Sequence, residues 1–98
     1  MAEGAAILAG PTASPNPFRN ASTIRFDVGR AGPVTVDVFD VRGRRVRRLL
    51  DQRTLDAGAH RLVWDGHDDA GREVASGVYF CRLEGETPAR AARIVLRR

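Results

Sequence analysis

The feature that most constrains the fold is a two-residue alternation of apolar and polar side chains in short segments bounded by Gly or Pro. In STIRFDV, for example, Ile24, Phe26 and Val28 would share one face, and VTVDVFD and GVYFCRL repeat this pattern. A period of two is typical of half-buried β-strands. Six or seven such segments follow one another. By periodicity alone RVRRLLDQ fits a helix or a strand, and its flanking turns and short length favour a strand. The sequence therefore predicts an all-β protein, an antiparallel sandwich of two sheets with about seven strands.

The same alternation predicts which side chains fill the space between the two sheets. The single Trp is expected to anchor this core because aromatic side chains carry much of the buried area. The predicted core consists of Ile24, Phe26, Val36, Val38, Trp64, Tyr79, Cys81 and Leu83.

Composition limits the chemistry that the chain can perform. It has 98 residues, the size of one domain, and a net charge of +4 in which all 16 basic residues are Arg. The absence of Lys excludes Schiff-base chemistry, Lys-dependent phosphate loops and internal isopeptide bonds. The lone Cys81 cannot form an internal disulfide and is expected to be a buried, inert thiol.

The first residues are expected to lie outside the folded domain. Pro11, Pro15 and Pro17 exclude a helix, and we predict a linker or cargo remnant over 1–14, with at most a short strand at Ala6–Ala9. The domain is predicted to span 15–98. The start of the chain lacks the basic end and long apolar middle of a signal peptide, and no run of eighteen apolar residues predicts membrane insertion.

The stretch WDGHDDAGREVASGVYF contains the densest group of acidic residues. A calcium loop, a catalytic acid pair and a strand connection are the three interpretations. The acidic spacing does not match an EF-hand loop, and Asp and Gly are favoured in turns because they tolerate left-handed backbone. We therefore predict a structural turn formed by Asp65, Gly66, Asp68, Asp69 and Gly71, with no metal and no cofactor. Calcium binding is the alternative.

The basic run RGRRVRR is the best candidate for nucleic-acid binding. It lacks interleaved aromatic residues, and Asp37, Asp40 and Asp51 flank it and would partly neutralise it. We predict a solvated strand face and turn, with protein docking as the alternative and no nucleic-acid partner. Sugar stacking by Trp64 is a weaker possibility, and His60 and His67 lack the partners of a zinc site.

The order of the segments resembles a known family. SPNPFRNASTIRFDV, VTVDVFDVRGRRVRRLL, AGAHRLVWDGHDDAGREVASGVYFCRLEGE and RAARIVLRR look like the C-terminal sorting domains of proteins exported by the type IX (Por) secretion system of Gram-negative bacteria. The middle of the chain also resembles the immunoglobulin-like domain of flagellar hook-capping proteins. PNPF and SGVY are the most telling motifs for the sorting family, whereas FDVRGRRV and WDGHDDAG are shared with the hook-cap domain. The family usually carries Lys in the last strand, where this chain has Arg.

The resemblance implies an Ig-like sandwich that acts as an address rather than an enzyme. It would direct an upstream cargo protein through the periplasm and outer membrane to the cell surface, and its partners would be the cargo and the outer-membrane secretion machinery. Recognition is expected near SGVY and on the last strand. The residues predicted to carry it are Gly77, Val78, Tyr79, Arg93, Arg97 and Arg98, with the three arginines as exposed contacts.

Two other functions remain open. A structural Ig-like module of a hook cap or another extracellular assembly would pack through a sheet edge, and it would lie within a longer chain, whereas a sorting domain ends its protein as RIVLRR ends this sequence. A small sugar- or calcium-binding module would depend on Trp64 and the acidic loop. The sequence predicts neither the oligomeric state nor the recognised face.

Overall fold

A computed structural model describes residues 4–86 and 88–98. Within this part of the chain, all regular structure is β-strand. The all-β prediction is therefore confirmed, with seven strands. They are β1 (Ala6–Ser14), β2 (Ser22–Arg30), β3 (Gly32–Asp40), β4 (Arg45–Leu55), β5 (Gly58–Trp64), β6 (Gly77–Glu84) and β7 (Arg90–Leu96).

The strands form two antiparallel sheets that pack face to face. Sheet A has the order β1-β2-β5, and sheet B has the order β4-β3-β6-β7. Strands β1 and β7 lie near each other along one side of the sandwich. Two antiparallel sheets packed face to face around one core are the architecture of an Ig-like sandwich.

The core lies between the sheets. All eight residues predicted for it are buried, and Trp64, Val36, Val38 and Cys81 have no exposed surface. Buried apolar residues outside the predicted set are Ala5, Phe18, Val28, Val34, Ile94 and Leu96. Asp37, on the outer face of β3, is also buried because two strands flank it and Arg48 covers it, with Nε 2.9 Å from Oδ1.

The linker predicted over residues 1–14 does not match the structure from Ala6 onward. Residues Ala6–Ser14 form β1, which pairs with β2 and shifts register around Gly10 and Pro11. Pro is compatible with a strand at a sheet edge, where its missing N–H costs no ladder bond. Ala5, just before β1, is fully buried and donates its N–H to the carbonyl of Pro33.

Strand direction gives the sandwich two distinct ends. Strands β5 and β7 finish at one end, where β2 and β6 begin; we call it the C-terminal pole because Arg98 lies there. Residue 4 lies at the opposite end, against Gly85. Among the described residues, no helix is long and apolar enough to cross a membrane.

Candidate docking surface at the last strand

Residues 15–18, which we call the PNPF strap, lie along the outer edge of β7. The side chain of Asn16 donates from Nδ2 to the carbonyl of Arg93 at 2.8 Å and accepts at Oδ1 from the Val95 N–H at 2.9 Å. Phe18 then donates to the Val95 carbonyl and accepts from the Arg97 N–H, at 2.9 and 2.8 Å. The strap therefore satisfies the outward backbone groups from Arg93 to Arg97, which would otherwise form an open sheet edge.

The side chain of Phe18 fastens the strap to the core. It is buried, and its ring meets Trp64 edge-on, with centroids 5.5 Å apart. Trp64 in turn contacts Tyr79 at 5.1 Å, also edge-on. Edge-to-face packing is a preferred aromatic geometry. The Trp64 indole donates to the carbonyl of His67 at 3.0 Å, so one side chain joins the strap, β6 and the loop after β5.

The acidic stretch after β5 forms a closed turn structure. Oδ1 of Asp68 accepts from the N–H groups of Ala70 and Arg72, at 3.0 and 2.9 Å, and Asp65 accepts from His67 in the same way. The hydrogen bond from Arg72 is the main reason that the pKa of Asp68 lies below its usual value of 3.8. Its carboxylate is thus engaged by the backbone of its own loop.

Asp69 fixes this loop to sheet B. Its Oδ1 accepts from the Arg48 N–H at 2.9 Å, and its own N–H donates to the carbonyl of Val46 at 3.1 Å. Gly71 supports the turn with a φ of +80°, a conformation that L side chains rarely adopt. Among residues 4–86 and 88–98, no group of three or more His, Cys, Asp and Glu is placed to hold a metal ion.

Arg98 lies against this loop and is not a free contact. Its guanidinium donates to the carbonyls of Gly66 and Val74, at 2.8 and 3.3 Å, and Nη1 lies 3.6 Å from Glu73. Gly66 permits this approach, since a Cβ there would lie 2.7 Å from Nη2. Arg98 as a whole residue is exposed, while its side chain is 28% exposed and its guanidinium is engaged by the loop, so its role as a recognition contact stays a prediction. The pattern of charges could not reveal this clamp, because its partners are backbone carbonyls.

The flanking acids partly neutralise the basic hairpin through ion pairs with Arg44 and Arg48. Arg48 forms a two-pronged pair with Asp37, at 2.9 and 3.1 Å, and contacts Asp51 at 3.5 Å. Asp40 accepts from the Arg44 and Arg42 N–H groups, which lowers its pKa, with the Arg44 bond as the main cause. Of the other two arginines in the run, Arg45 lies 3.8 Å from Asp69, and Arg47 donates to the carbonyl of Asp68.

The outer face of sheet B carries a cross-strand row that the sequence did not single out. Strand register aligns four residues from β4 to β7: Arg45, Phe39, Phe80 and Arg93. Phe80 is 38% exposed on the outward face of β6, whereas its neighbours Tyr79 and Cys81 point into the core. Val78 and Val95 pair in the neighbouring row. We call these six residues the β6–β7 face.

The structure does not bring the predicted recognition residues together on one surface. Val78 and Arg93 lie on the β6–β7 face, and Gly77 lies beside them, paired with Leu96. Arg97 is exposed and its N–H binds the strap. Tyr79 points into the core and donates its hydroxyl to the carbonyl of Ala75. The sequence did not single out Phe80 and Phe39 as site residues. VYFCRL has apolar residues on both faces and VTVDVFD ends in one, so both segments predict a strand without marking an exposed site.

Cys81 lies in the core beneath this face. Burial, with a smaller contribution from Asp37, raises the pKa of its thiol to about 12. A thiol must ionise to act as a nucleophile, so Cys81 is protonated near neutral pH and acts as a small apolar side chain.

These features define the class of protein: an Ig-like β-sandwich with a covered final strand and an apolar, Arg-flanked outer face. The chain belongs to the FlgD Ig-like domain family, whose model matches residues 16–88. The resemblance to the hook-cap domain is thus confirmed. No curated protein matches the chain.

Three solved structures share the fold. PorZ of Porphyromonas gingivalis, an essential bacterial surface component of the type-IX secretion system, has a TM-score of 0.61 and 22% identity, covering 91% of this chain and 12% of PorZ. Dimeric latent PorU from the same organism has a TM-score of 0.66 and 22% identity, and the match covers 94% of this chain and 9% of PorU. FlgD from Xanthomonas campestris, involved in hook capping, has a TM-score of 0.59 and 20% identity, and the match covers 96% of this chain and 67% of FlgD. The chain therefore spans only a small part of PorZ and PorU, and these likenesses concern the fold alone.

Proposed function

We propose that this chain is a non-catalytic sorting domain, which directs an upstream cargo protein across the outer membrane of a Gram-negative bacterium to the cell surface. Its partners would be the secretion machinery and the cargo. The observation that carries the proposal is spatial. PNPF, SGVY and the last strand, which carry the sorting resemblance, meet at the C-terminal pole although PNPF lies about 60 residues or more from the other two in sequence.

The contacts between these motifs are direct. Asn16 and Phe18 of the strap bind the backbone of β7, Gly77 pairs with Leu96, and the Ser76 hydroxyl accepts from the Arg98 N–H at 3.0 Å. These contacts by themselves are explained by a structural role in holding the pole together. That all three motifs border one exposed surface supports a role in recognition as well.

The covered edge of β7 limits how a partner could read this pole. Because the strap satisfies the backbone from Arg93 to Arg97, strand addition at this edge would require its removal. The side chains of the β6–β7 face are available without any rearrangement. Phe80 supplies an aromatic anchor and Arg93 a charged flank, the residue types enriched where binding energy concentrates. We infer that the machinery contacts Phe80, Val78 and Arg93.

The test is a secretion assay in a bacterium with a type IX system. A fluorescent reporter with a signal peptide is fused ahead of this chain, and reporter outside the outer membrane is compared with that of a strain lacking the system. We expect export only with the system, and a loss of at least about tenfold for Phe80→Ala or Arg93→Gln. The matched control is Leu8→Ala, which removes an apolar side chain that is 68% exposed on β1.

The outcomes distinguish failure of the proposed recognition surface from failure of the proposed sorting function. Equal export of the Phe80→Ala and Leu8→Ala fusions would refute the β6–β7 face as the recognition site. Periplasmic retention of a folded wild-type fusion in both strains would refute sorting itself. Intrinsic fluorescence of buried Trp64 confirms that each purified domain is folded.

The second candidate is a structural Ig-like module of an extracellular or flagellar hook-cap assembly. Membership of the FlgD Ig-like family favours it. In that case the open edge of β5, which pairs only with β2, would be the natural packing surface. Concentration-dependent self-association, measured by sedimentation and abolished by Val63→Lys on β5, would support this module. A monomer at millimolar concentration would count against self-packing through that edge.

A further inference from the structure

A second polar site lies on the outer face of sheet A, away from the β6–β7 face and independent of the proposed sorting role. Strand register aligns Thr12 of β1, Arg25 of β2 and Arg61 of β5 in one cross-strand row. The next row on the same face is Ala9, Asp27 and Ala59. A cavity of about 530 Å³ opens over these two rows.

Three small residues, Ala9, Gly10 and Ala59, are among those that line the cavity and leave room for it. The register of β1 shifts between Ala9 and Thr12, and Gly10 lies close against Arg25 and Phe26 of β2. A Cβ at Gly10 would be 2.6 Å from the carbonyl oxygen of Arg25, so no larger residue fits without moving the strand. Alanines on both sides of Asp27 leave space where longer side chains would fill the surface.

The two arginines are an unfavourable pair in the absence of a ligand. Directly opposite residues of antiparallel strands have Cβ atoms about 5 Å apart, and like charges there repel. Within residues 4–86 and 88–98, no side chain forms a hydrogen bond or ion pair with the guanidinium of Arg25 or Arg61. By contrast, Arg48 on sheet B faces Asp37 across its strand pair.

Asp27 does not neutralise the pair. It lies two residues from Arg25 on the same strand face, about 7 Å along the strand, and its carboxylate has no partner among the described residues. The cavity thus presents two guanidinium forks and a threonine hydroxyl at one end and a carboxylate at the other. Guanidinium groups match the oxygens of phosphate and carboxylate through paired hydrogen bonds.

We propose that the Thr12–Arg25–Arg61 row binds an oxyanion, a phosphate or carboxylate, whose carrier presents an amine to Asp27. The ligand class is a small zwitterion, either free or as a lipid headgroup. The guanidinium groups of Arg25 and Arg61 hold the anion, and Thr12 contributes its hydroxyl. Asp27 selects amine-bearing ligands, because its negative charge opposes a bare anion and attracts an ammonium group.

The experiment is an NMR titration of the isotope-labelled full chain at constant ionic strength, following the side-chain Nε–Hε signals of the arginines. The probes are inorganic phosphate and O-phosphorylethanolamine, with chloride as the reference for screening. We expect saturable shifts at Arg25 and Arg61 for both probes, and tighter binding of phosphorylethanolamine. Arg61→Gln should lower the affinity for both probes by about fivefold. Arg53→Gln, at an exposed β4 arginine, is the matched control and should change neither.

Asp27→Asn tests the amine half of the site separately. The Asp27→Asn variant should bind inorganic phosphate more tightly than the wild type, and it should bind phosphorylethanolamine about threefold more weakly. Equal weakening of both probes, or tighter binding of bare phosphate by the wild type, would overturn the role of Asp27. Shifts that do not saturate, or that persist unchanged in Arg61→Gln, would overturn the site. Co-sedimentation with phosphatidylethanolamine vesicles that depends on Arg61 would assign the ligand to a headgroup, and soluble binding alone would assign it to a free molecule.

Discussion

Replacing Asn16 by Ala tests how the PNPF strap is held to the last strand. The substitution removes two hydrogen bonds, one to the Arg93 carbonyl at 2.8 Å and one from the Val95 N–H at 2.9 Å. A neutral intramolecular hydrogen bond contributes about 0.5–1.5 kcal/mol net. Both freed backbone groups lie at an exposed edge, where water replaces the lost partner. We therefore expect the free energy of unfolding to fall by about 1–2 kcal/mol.

Urea unfolding followed by the fluorescence of Trp64 measures this change, since the indole is buried and contacts Phe18 of the strap. For a domain of this size, a loss of 1–2 kcal/mol corresponds to a fall in melting temperature of roughly 5–15 °C. The matched control is Asn20→Ala, because the side chain of Asn20 is exposed and has no partner among the described residues. It should change stability by less than about 0.5 kcal/mol.

Amide exchange locates the effect within the molecule. The Val95 N–H donates to the Asn16 side chain, whereas the Arg97 N–H donates to the Phe18 carbonyl. In Asn16→Ala the Val95 amide should exchange faster by a larger factor than that of Arg97. If Asn16→Ala matched Asn20→Ala in both unfolding and Val95 exchange, the strap would contribute nothing through Asn16, and the idea of a closed β7 edge would be refuted.

Four further predictions follow from the same structure. Arg98→Ala should lower the free energy of unfolding by about 1–3 kcal/mol in urea titrations, because its charged donors hold two loop carbonyls; no change would refute the clamp. Arg61→Gln should instead raise it by about 0.2–1 kcal/mol by relieving the pair with Arg25, and a destabilised variant would contradict the repulsion. Trp64→Ala should cost about 3–5 kcal/mol in the same titration. Because the pKa of Asp68 is lower in the folded state than its usual 3.8, its contribution should be lost as pH falls below about 4, and Asp68→Asn should show a smaller acid-induced loss between pH 5 and 3.

Most of the sandwich could be predicted because the patterns that indicate it lie within short, continuous segments of the sequence. In the middle of β2, β3 and β6 every second residue is apolar, and each inward position predicted from that period is buried. The neutralisation of Arg48 by Asp37 and of Arg44 by Asp40 could also be predicted, since the acids flank the basic run in sequence.

The features that sequence did not reveal depend on contacts between distant segments. Strand β1 reads as a linker, since Gly10 and Pro11 interrupt it and its side chains are small; its place is set by pairing with β2. Asn16 meets β7 across 77 residues, and Arg98 meets Gly66 across 32. In both cases one partner is a backbone group, which every residue has, so no residue type marks the contact.

The positions of residues 4 and 98 at opposite ends of the sandwich have a mechanical consequence. The longest dimension of the molecule is 40 Å. A pull between residue 4 and the C-terminal pole would run along the strands, and it would load the β1–β2 ladder and the contacts between strap and β7 in shear. In shear, several hydrogen bonds must break together rather than one after another. We expect the domain to resist tension along this axis better than a pull that peels β1 away from β2 sideways.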